Sequence, residues 1–365
     1  MSLAIDPEDA AESAGLRYVT DDEPGLRRRR RGMGFQYLKA DGSPLRDQRR
    51  LAWIRSLAIP PAWTEVWICH DRRGHLQATG RDARGRKVYR YHPEWRVARD
   101  ETKYERLVAF GRALPTIRRR VSRDLRRSAL SREKVLATVV ALLGEAALRI
   151  GNDAYARENR SFGLTTLLDR HVHAGATTVR FRFRGKSGKV NEVTVSDRRL
   201  ARMVARLQEL PGQEFFQYLD DDGEPHAIRS DDVNAYLREI TGDDFTAKDF
   251  RTWEGTVVAA GALASDGPSD PDKRSKHDVV RAIEQVAERL GNTPAVSRQA
   301  YVHPDVVDAY LEGEAMPAGT MTTEGRAIGR VGLSRAEAAV LALLRKRVKQ
   351  PRVARARAGS RRSPA

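Results

Sequence analysis

The chain has 365 residues, with 66 lysines and arginines against 49 aspartates and glutamates, a net charge of +17. A single cysteine, Cys69, excludes an intramolecular disulfide and any zinc site built from several cysteines. No apolar run reaches the roughly 18 residues of a membrane span. The acidic N-terminus lacks the basic and apolar regions of a signal peptide. No membrane partner is expected, and the location is expected to be cytoplasmic and nucleoid-associated.

The charge is unevenly spread. Residues 1–24 carry a net of −6, Arg27 to Arg31 add +5, and residues 345–365 hold nine cations and no acid. The body between them remains basic, so nucleic acid is the expected partner. Single cores rarely exceed about 250–300 residues, which predicts two domains with tails.

Residues 1–33 read as a disordered acidic arm ending in the arginine run. Residues 34–96 read as a small antiparallel β-rich domain. Its strand-like pieces are Phe35–Leu38, Glu65–Cys69 and Lys87–Tyr91, with turns at Asp41-Gly42, Arg73-Gly74 and Arg84-Gly85. A helix fits at 44–56 and ends at Ile59-Pro60-Pro61. Residues 97–350 read as a larger, mainly helical domain, giving an α+β chain. Apolar spacing near 3.6 predicts helices at 103–127 and 132–150, the second capped by Ser131. Thr178–Arg184 and Val190–Val195 alternate about a Gly185–Lys189 turn and predict a hairpin. Helices follow at 197–210, 231–241, 247–262, 276–290, 294–300, 304–313 and 334–348. A Ser/Asp/Pro/Gly-rich linker fits at 265–274, and residues 351–365 read as a basic disordered tail.

Breaking a phosphodiester without a metal requires cations on the nonbridging oxygens, an acid for the leaving oxygen and a releasable nucleophile. Candidates stand on separate elements. Arg149 is placed at the end of the second helix, Lys186 at the hairpin tip, and Arg251 in the first turns of the helix beginning near 247. Asn292 and Tyr301 share the segment Gly291–Tyr301.

These segments resemble type IB DNA topoisomerases in the compact bacterial and poxviral form. Ala147–Asn152, running on through Tyr155, Glu158-Asn159 and Phe162–Leu167, resembles the first catalytic block. Phe183-Arg184-Gly185-Lys186 resembles the lysine hairpin, Lys248–Thr252 the second-arginine block, and Gly291–Tyr301 the nucleophile block. Ile54–Ile68 resembles the small-domain signature, and Gly85–Tyr91 the strand that touches DNA in the major groove. The resemblance implies that Tyr301 forms a 3′-phosphotyrosyl link. It implies that Arg149 and Arg251 clamp the phosphate, that Lys186 protonates the departing 5′ oxygen, and that Asn292 orients the phosphate. Lys87, Tyr89, Arg90, Tyr91 and Lys248 are implied DNA contacts. The resemblance further implies double-stranded DNA as the partner, a monomer, and no need for a cofactor, metal or nucleotide. Two departures stand out: Asn292 replaces the histidine of viral and eukaryotic relatives, and Val88 occupies a frequent polar base-reader position.

Other readings are weaker. Gly185-Lys186-Ser187 lacks the earlier glycine and the following helix of a phosphate-binding loop. His171 and His173 have no third metal ligand and suit surface or phosphate contact. A tyrosine recombinase shares the Arg-Lys-Arg-Tyr chemistry but typically carries histidine where this chain has Lys248. An architectural DNA-binding protein would need only the charge.

Overall fold

The computed structural model describes residues 7–83, 85–265, 270, 273–314 and 331–348. Contacts divide the chain between Tyr104 and Glu105, inside a long helix rather than at the expected residue 96. The expected tail at 351–365 and most of the expected linker at 265–274 lie outside the described residues.

The N-terminal unit is an antiparallel sheet of order β2-β1-β3-β4-β5. Its strands are β1 (Leu26–Arg31), β2 (Gly34–Leu38), β3 (Thr64–Ile68), β4 (Leu76–Arg81) and β5 (Lys87–Tyr91). Helix α1 spans Pro7–Ser13 and α2 spans Gln48–Ser56. The Asp47 carboxylate caps α2 by accepting from the Arg49 and Arg50 amides. α2 buries Ile54 among Leu26, Val66, Ile68 and Ala78 on one sheet face. Burial of a side chain of that size is worth roughly 1.5–3 kcal/mol. On the other face, Val19 packs with Trp67, Cys69 and Leu76, while Trp95 joins Ala10, Ala11 and Leu16.

This corrects the reading of the arm as disordered over residues 7–33; its first six residues lie outside the described residues. Leu26 is buried and anchors β1, which pairs with β2 along its length and with β3 at its start. The Arg28 guanidinium donates to the carbonyls of Ile59, Pro60 and Trp63 and lies over the Phe35 ring. Composition alone suggests disorder, but one buried leucine and one well-partnered arginine order the run.

The second unit is mainly helical. Helix α3 (Pro93–Asp124) begins earlier than expected, with proline at a position where a missing N–H is harmless. α4 (Arg132–Ala146) is capped by Ser131, as expected, and is buried along most of its length. α5 (Asp153–Asn159) leads to a three-stranded sheet of β6 (Val172–Ala174), β7 (Thr178–Arg184) and β8 (Val190–Ser196). β7 and β8 form the expected hairpin. α6 (Arg198–Gln208), the hairpin β9 (Gln217–Leu219) and β10 (Pro225–Ala227), and α7 (Ser230–Thr241) follow.

The remaining helices build the site. They are α8 (Ala247–Ser265), α9 (Lys276–Leu290), α10 (Pro294–Tyr301), α11 (Pro304–Leu311) and α12 (Arg335–Val348). α8 is buried over most of its surface, as a helix at the centre of a bundle must be. Gly111 of α3 admits the Trp253 ring, which a Cβ there would meet at 2.5 Å. Buried Glu337 of α12 accepts from Trp253 Nε1 and from both terminal nitrogens of Arg118. Among the described residues, no helix is long and apolar enough to cross a membrane.

His171 is buried, and its Nδ1 accepts from the Leu168 amide beside Phe162 and Phe183. It packs the interior rather than contacting surface or phosphate, as the sequence reading had it.

Candidate active site

Arg251 sits in the second turn of α8 and is only 4% exposed. A guanidinium buried without partners would cost several kcal/mol. Here its terminal nitrogens donate to two carbonyls from different segments, Ala147 after α4 and Leu290 at the end of α9. Its Nε is buried with no hydrogen-bond partner among the described residues. Asp249, two residues earlier on the same helix, binds Arg106 and accepts from the Thr246 amide, which fixes the start of α8.

Arg149 does not close a helix, contrary to the sequence reading. α4 stops at Ala146, and Ala147 takes a left-handed conformation with φ of 50°. That reversal presents the Ala147 carbonyl to Arg251 and carries Arg149 into an irregular segment. This segment is fastened by amides of Leu164 and Thr165, which donate to the carbonyls of Arg149 and Ile150 at 2.8 and 2.7 Å. Gly163 permits the approach, since a Cβ there would meet the Gly151 nitrogen at 2.5 Å.

Asn292 follows from the way α9 ends. Gly291 adopts φ of 63°, and the Asn292 amide donates back to Ala287, a Schellman closure. The side chain then meets Arg149, whose guanidinium donates to Asn292 Oδ1. Arginine has no acceptor, so the atom facing it must be the oxygen. Nδ2 is thereby left as a buried donor with no partner among the described residues.

Tyr301 is the last residue of α10, which begins with the Thr293 cap and Pro294. The Arg251 guanidinium lies 5.0 Å from the centre of its ring. Burial alone would push the phenol up. The positive charges of Arg251, Arg149 and Lys248 outweigh it, and the net shift is downward from the ordinary phenol value. Lys248 itself is exposed.

Lys186 stands, exposed, at the tip of the β7–β8 hairpin. It lines one cavity with Arg149, Arg251, Leu290 and Gly291. Tyr301 is not part of that lining and reaches the site through Arg251. The structure therefore brings together Arg149, Lys186, Arg251, Asn292 and Tyr301. Arg149, Lys186 and Arg251 bring only donors to this cavity, and Asn292, bound to Arg149, adds the free Nδ2 donor beside it, a set that suits an anionic, acceptor-rich ligand such as a phosphate.

The expected DNA contacts on β5 belong to the N-terminal unit. Tyr89 and Tyr91 stack with centroids 5.9 Å apart, and Tyr89 is exposed. Lys87 pairs with Asp21 at 2.7 Å. Arg90 donates to the carbonyls of Leu57 and Ala58 at the end of α2. Its guanidinium is thus engaged in holding the fold.

Sequence reasoning missed the seat beneath the tyrosine. A Cβ on Gly255 would meet the Tyr301 carbonyl oxygen at 2.5 Å, so the glycine lets α8 touch that backbone. The Thr256 hydroxyl donates to the Thr252 carbonyl and accepts from the His303 amide, tying the chain just past Tyr301 to α8. A Gly-Thr pair one turn after Arg251 was the available signal.

A fixed set of cations and donors against a phenol of lowered pKa defines a centre suited to phosphoryl transfer. Residues 92–316 match the family described as eukaryotic DNA topoisomerase I, catalytic core, and residues 34–82 match bacterial DNA topoisomerase IB, N-terminal domain. The chain is 30% identical over 293 residues to DNA topoisomerase 1B of Acanthamoeba polyphaga mimivirus, covering 78% of this chain and 87% of the relative. It is 22% identical over 277 residues to DNA topoisomerase 1B of vaccinia virus strain Copenhagen, covering 74% and 85%. It is 21% identical over 277 residues to DNA topoisomerase I of monkeypox virus, with the same coverage. The chain belongs to the type IB DNA topoisomerase family and is an enzyme of the isomerase class.

Proposed function

We propose that the protein relaxes supercoiled DNA by cutting one strand through a 3′-phosphotyrosyl intermediate, allowing rotation, and resealing the nick, without ATP or a metal. The observation that carries this reading is the buried Arg251, held by two carbonyls and lying against Tyr301.

The Tyr301 phenolate, its proton given up to solvent, attacks a backbone phosphorus, forming the P–O(Tyr) bond as the P–O5′ bond breaks. Arg149, Arg251 and Asn292 Nδ2 donate to the nonbridging oxygens, where charge builds. The Arg149–Asn292 contact and the two carbonyls that hold Arg251 orient them before the DNA arrives, so little reorganisation is needed in the transition state. Lys186 delivers a proton to the departing 5′ oxygen. The lowered phenol pKa favours the nucleophilic form and also makes tyrosine a better leaving group on resealing. The phosphodiester energy stays in the covalent link, so rejoining needs no ATP. Tyr89, on the exposed edge strand, is a direct DNA contact in this reading, and the protein acts as a monomer.

Plasmid relaxation without ATP or added metal tests the reading. Loss of both relaxation and covalent adduct in Tyr301→Phe supports it. An unchanged adduct in that variant overturns it.

A further inference from the structure

The run Arg27–Arg31 plays no part in the chemistry above. Successive strand residues face opposite sides of a sheet, and directly paired residues share a side. Leu38, Arg27, Trp67, Thr79 and Tyr89 are successive cross-strand partners from β2 to β5. Arg27, Arg29 and Arg31 therefore lie on the same face as Tyr89. Arg28 and Arg30 lie on the opposite face, which α2 covers further along the sheet.

The two sets differ in what they do. Arg28 is engaged by three carbonyls and the Phe35 ring. The side chains of Arg27, Arg29 and Arg31 are exposed and make no hydrogen bond or ion pair among the described residues. Asp21 crosses the middle of their face but is bound to Thr79 and Lys87. The three guanidinium groups thus repeat every second residue, about 6.8 Å apart along the strand, with no ion pair to an acid among the described residues.

We propose that Arg27, Arg29 and Arg31 form a phosphate-tracking row, a line of contact to the duplex backbone on the Tyr89 face of the sheet. A pleated strand holds the cations at a regular interval, which suits a polyanion whose charges also repeat. Planar guanidinium groups take phosphate oxygens in forked pairs. Such contacts set affinity and register rather than sequence choice. The proposal rests on the reading that this protein acts on DNA.

The salt dependence of duplex binding tests it, with the full chain in a Tyr301→Phe background that prevents covalent trapping. Each phosphate contact adds about 0.9 to the slope of log affinity against log salt. Arg27→Gln, Arg29→Gln and Arg31→Gln are each expected to reduce the slope by about 0.9, and the triple variant by about 2.7. Arg30→Gln, which removes the same charge from the opposite face, is expected to leave it unchanged. A slope in Arg30→Gln that falls as far as in Arg29→Gln would reduce the effect to net charge and overturn the row. So would an unchanged slope in the triple variant. The single variants keep the test open if the triple variant fails to fold. A parent chain that binds no duplex would instead sink the DNA reading itself.

Discussion

Arginine does two different jobs in the two units. In the catalytic unit Arg251 is buried, fastened to the Ala147 and Leu290 carbonyls and set against Tyr301. In the N-terminal unit the side chains of Arg27, Arg29 and Arg31 stand exposed on a strand and form no hydrogen bond or ion pair among the described residues. The first arrangement spends hydrogen bonds on immobility, which is what transition-state stabilisation requires. The second keeps every donor available, which is what backbone affinity requires. Substitutions in the first region should therefore change rates, and in the second the salt dependence of binding.

The largest effect should come from Tyr301→Phe, which removes the nucleophile and should lower relaxation on the order of 10⁴-fold or more. Single-turnover cleavage of a duplex is the measurement, and a loss below tenfold would break the assignment. Arg251→Lys keeps the charge but cannot reproduce the fork. It should lower the cleavage rate about 10²- to 10³-fold, the usual cost of losing one fixed donor at a developing anion. If it instead lowered only affinity, Arg251 would behave like the surface arginines and the contrast between the regions would fail.

Asn292→Ala should slow cleavage about 10- to 100-fold, the worth of a hydrogen bond to a charged acceptor. Asn292→His should restore much of this, with a rate that depends on imidazole protonation. A cleavage rate in Asn292→Ala equal to the parent's would remove the residue from the site.

Lys248→Gln should have the smallest effect. Lys248 is one of three cations that hold the Tyr301 phenol below its ordinary value against the opposing effect of burial. Positive charge favours the phenolate, so the cleavage rate should rise with pH through the lowered pKa. Removing Lys248 weakens that preference and should move the rising limb to higher pH, with a few-fold loss at neutral pH. A pH–rate profile identical to the parent's would show that Lys248 does not act on the phenol.

Much of this was legible because local signals agreed. α9 carries a Ser275–Asp278 capping box and ends at Gly291, and its predicted limits match the structure. The β7–β8 hairpin was readable from alternation about Gly185–Lys189. β4 was not: Leu76, Ala78 and Gly80 alternate with Gln77, Thr79 and Arg81, but two of the three are small, and the polar members Gln77 and Thr79 are buried as well, which side-chain type does not announce. β1 was hidden by its composition, since a run of arginines carries no apolar pattern and what orders it is pairing with β2 and β3. Within the site, the residue types were readable but their fastening was not. The left-handed Ala147, the Leu290 carbonyl and the Gly255 approach to Tyr301 are backbone features that no side-chain pattern announces.

The central claim is that Tyr301, activated by the fixed cations around it, carries the cut strand. Denaturant trapping on supercoiled plasmid, without ATP or added metal, followed by mapping of the modified residue, tests it most directly. The account predicts DNA joined to Tyr301 through a 3′ phosphate, with a free 5′ hydroxyl on the other end. A link to another residue, a 5′ phosphate link, or relaxation with no protein-bound DNA would contradict it.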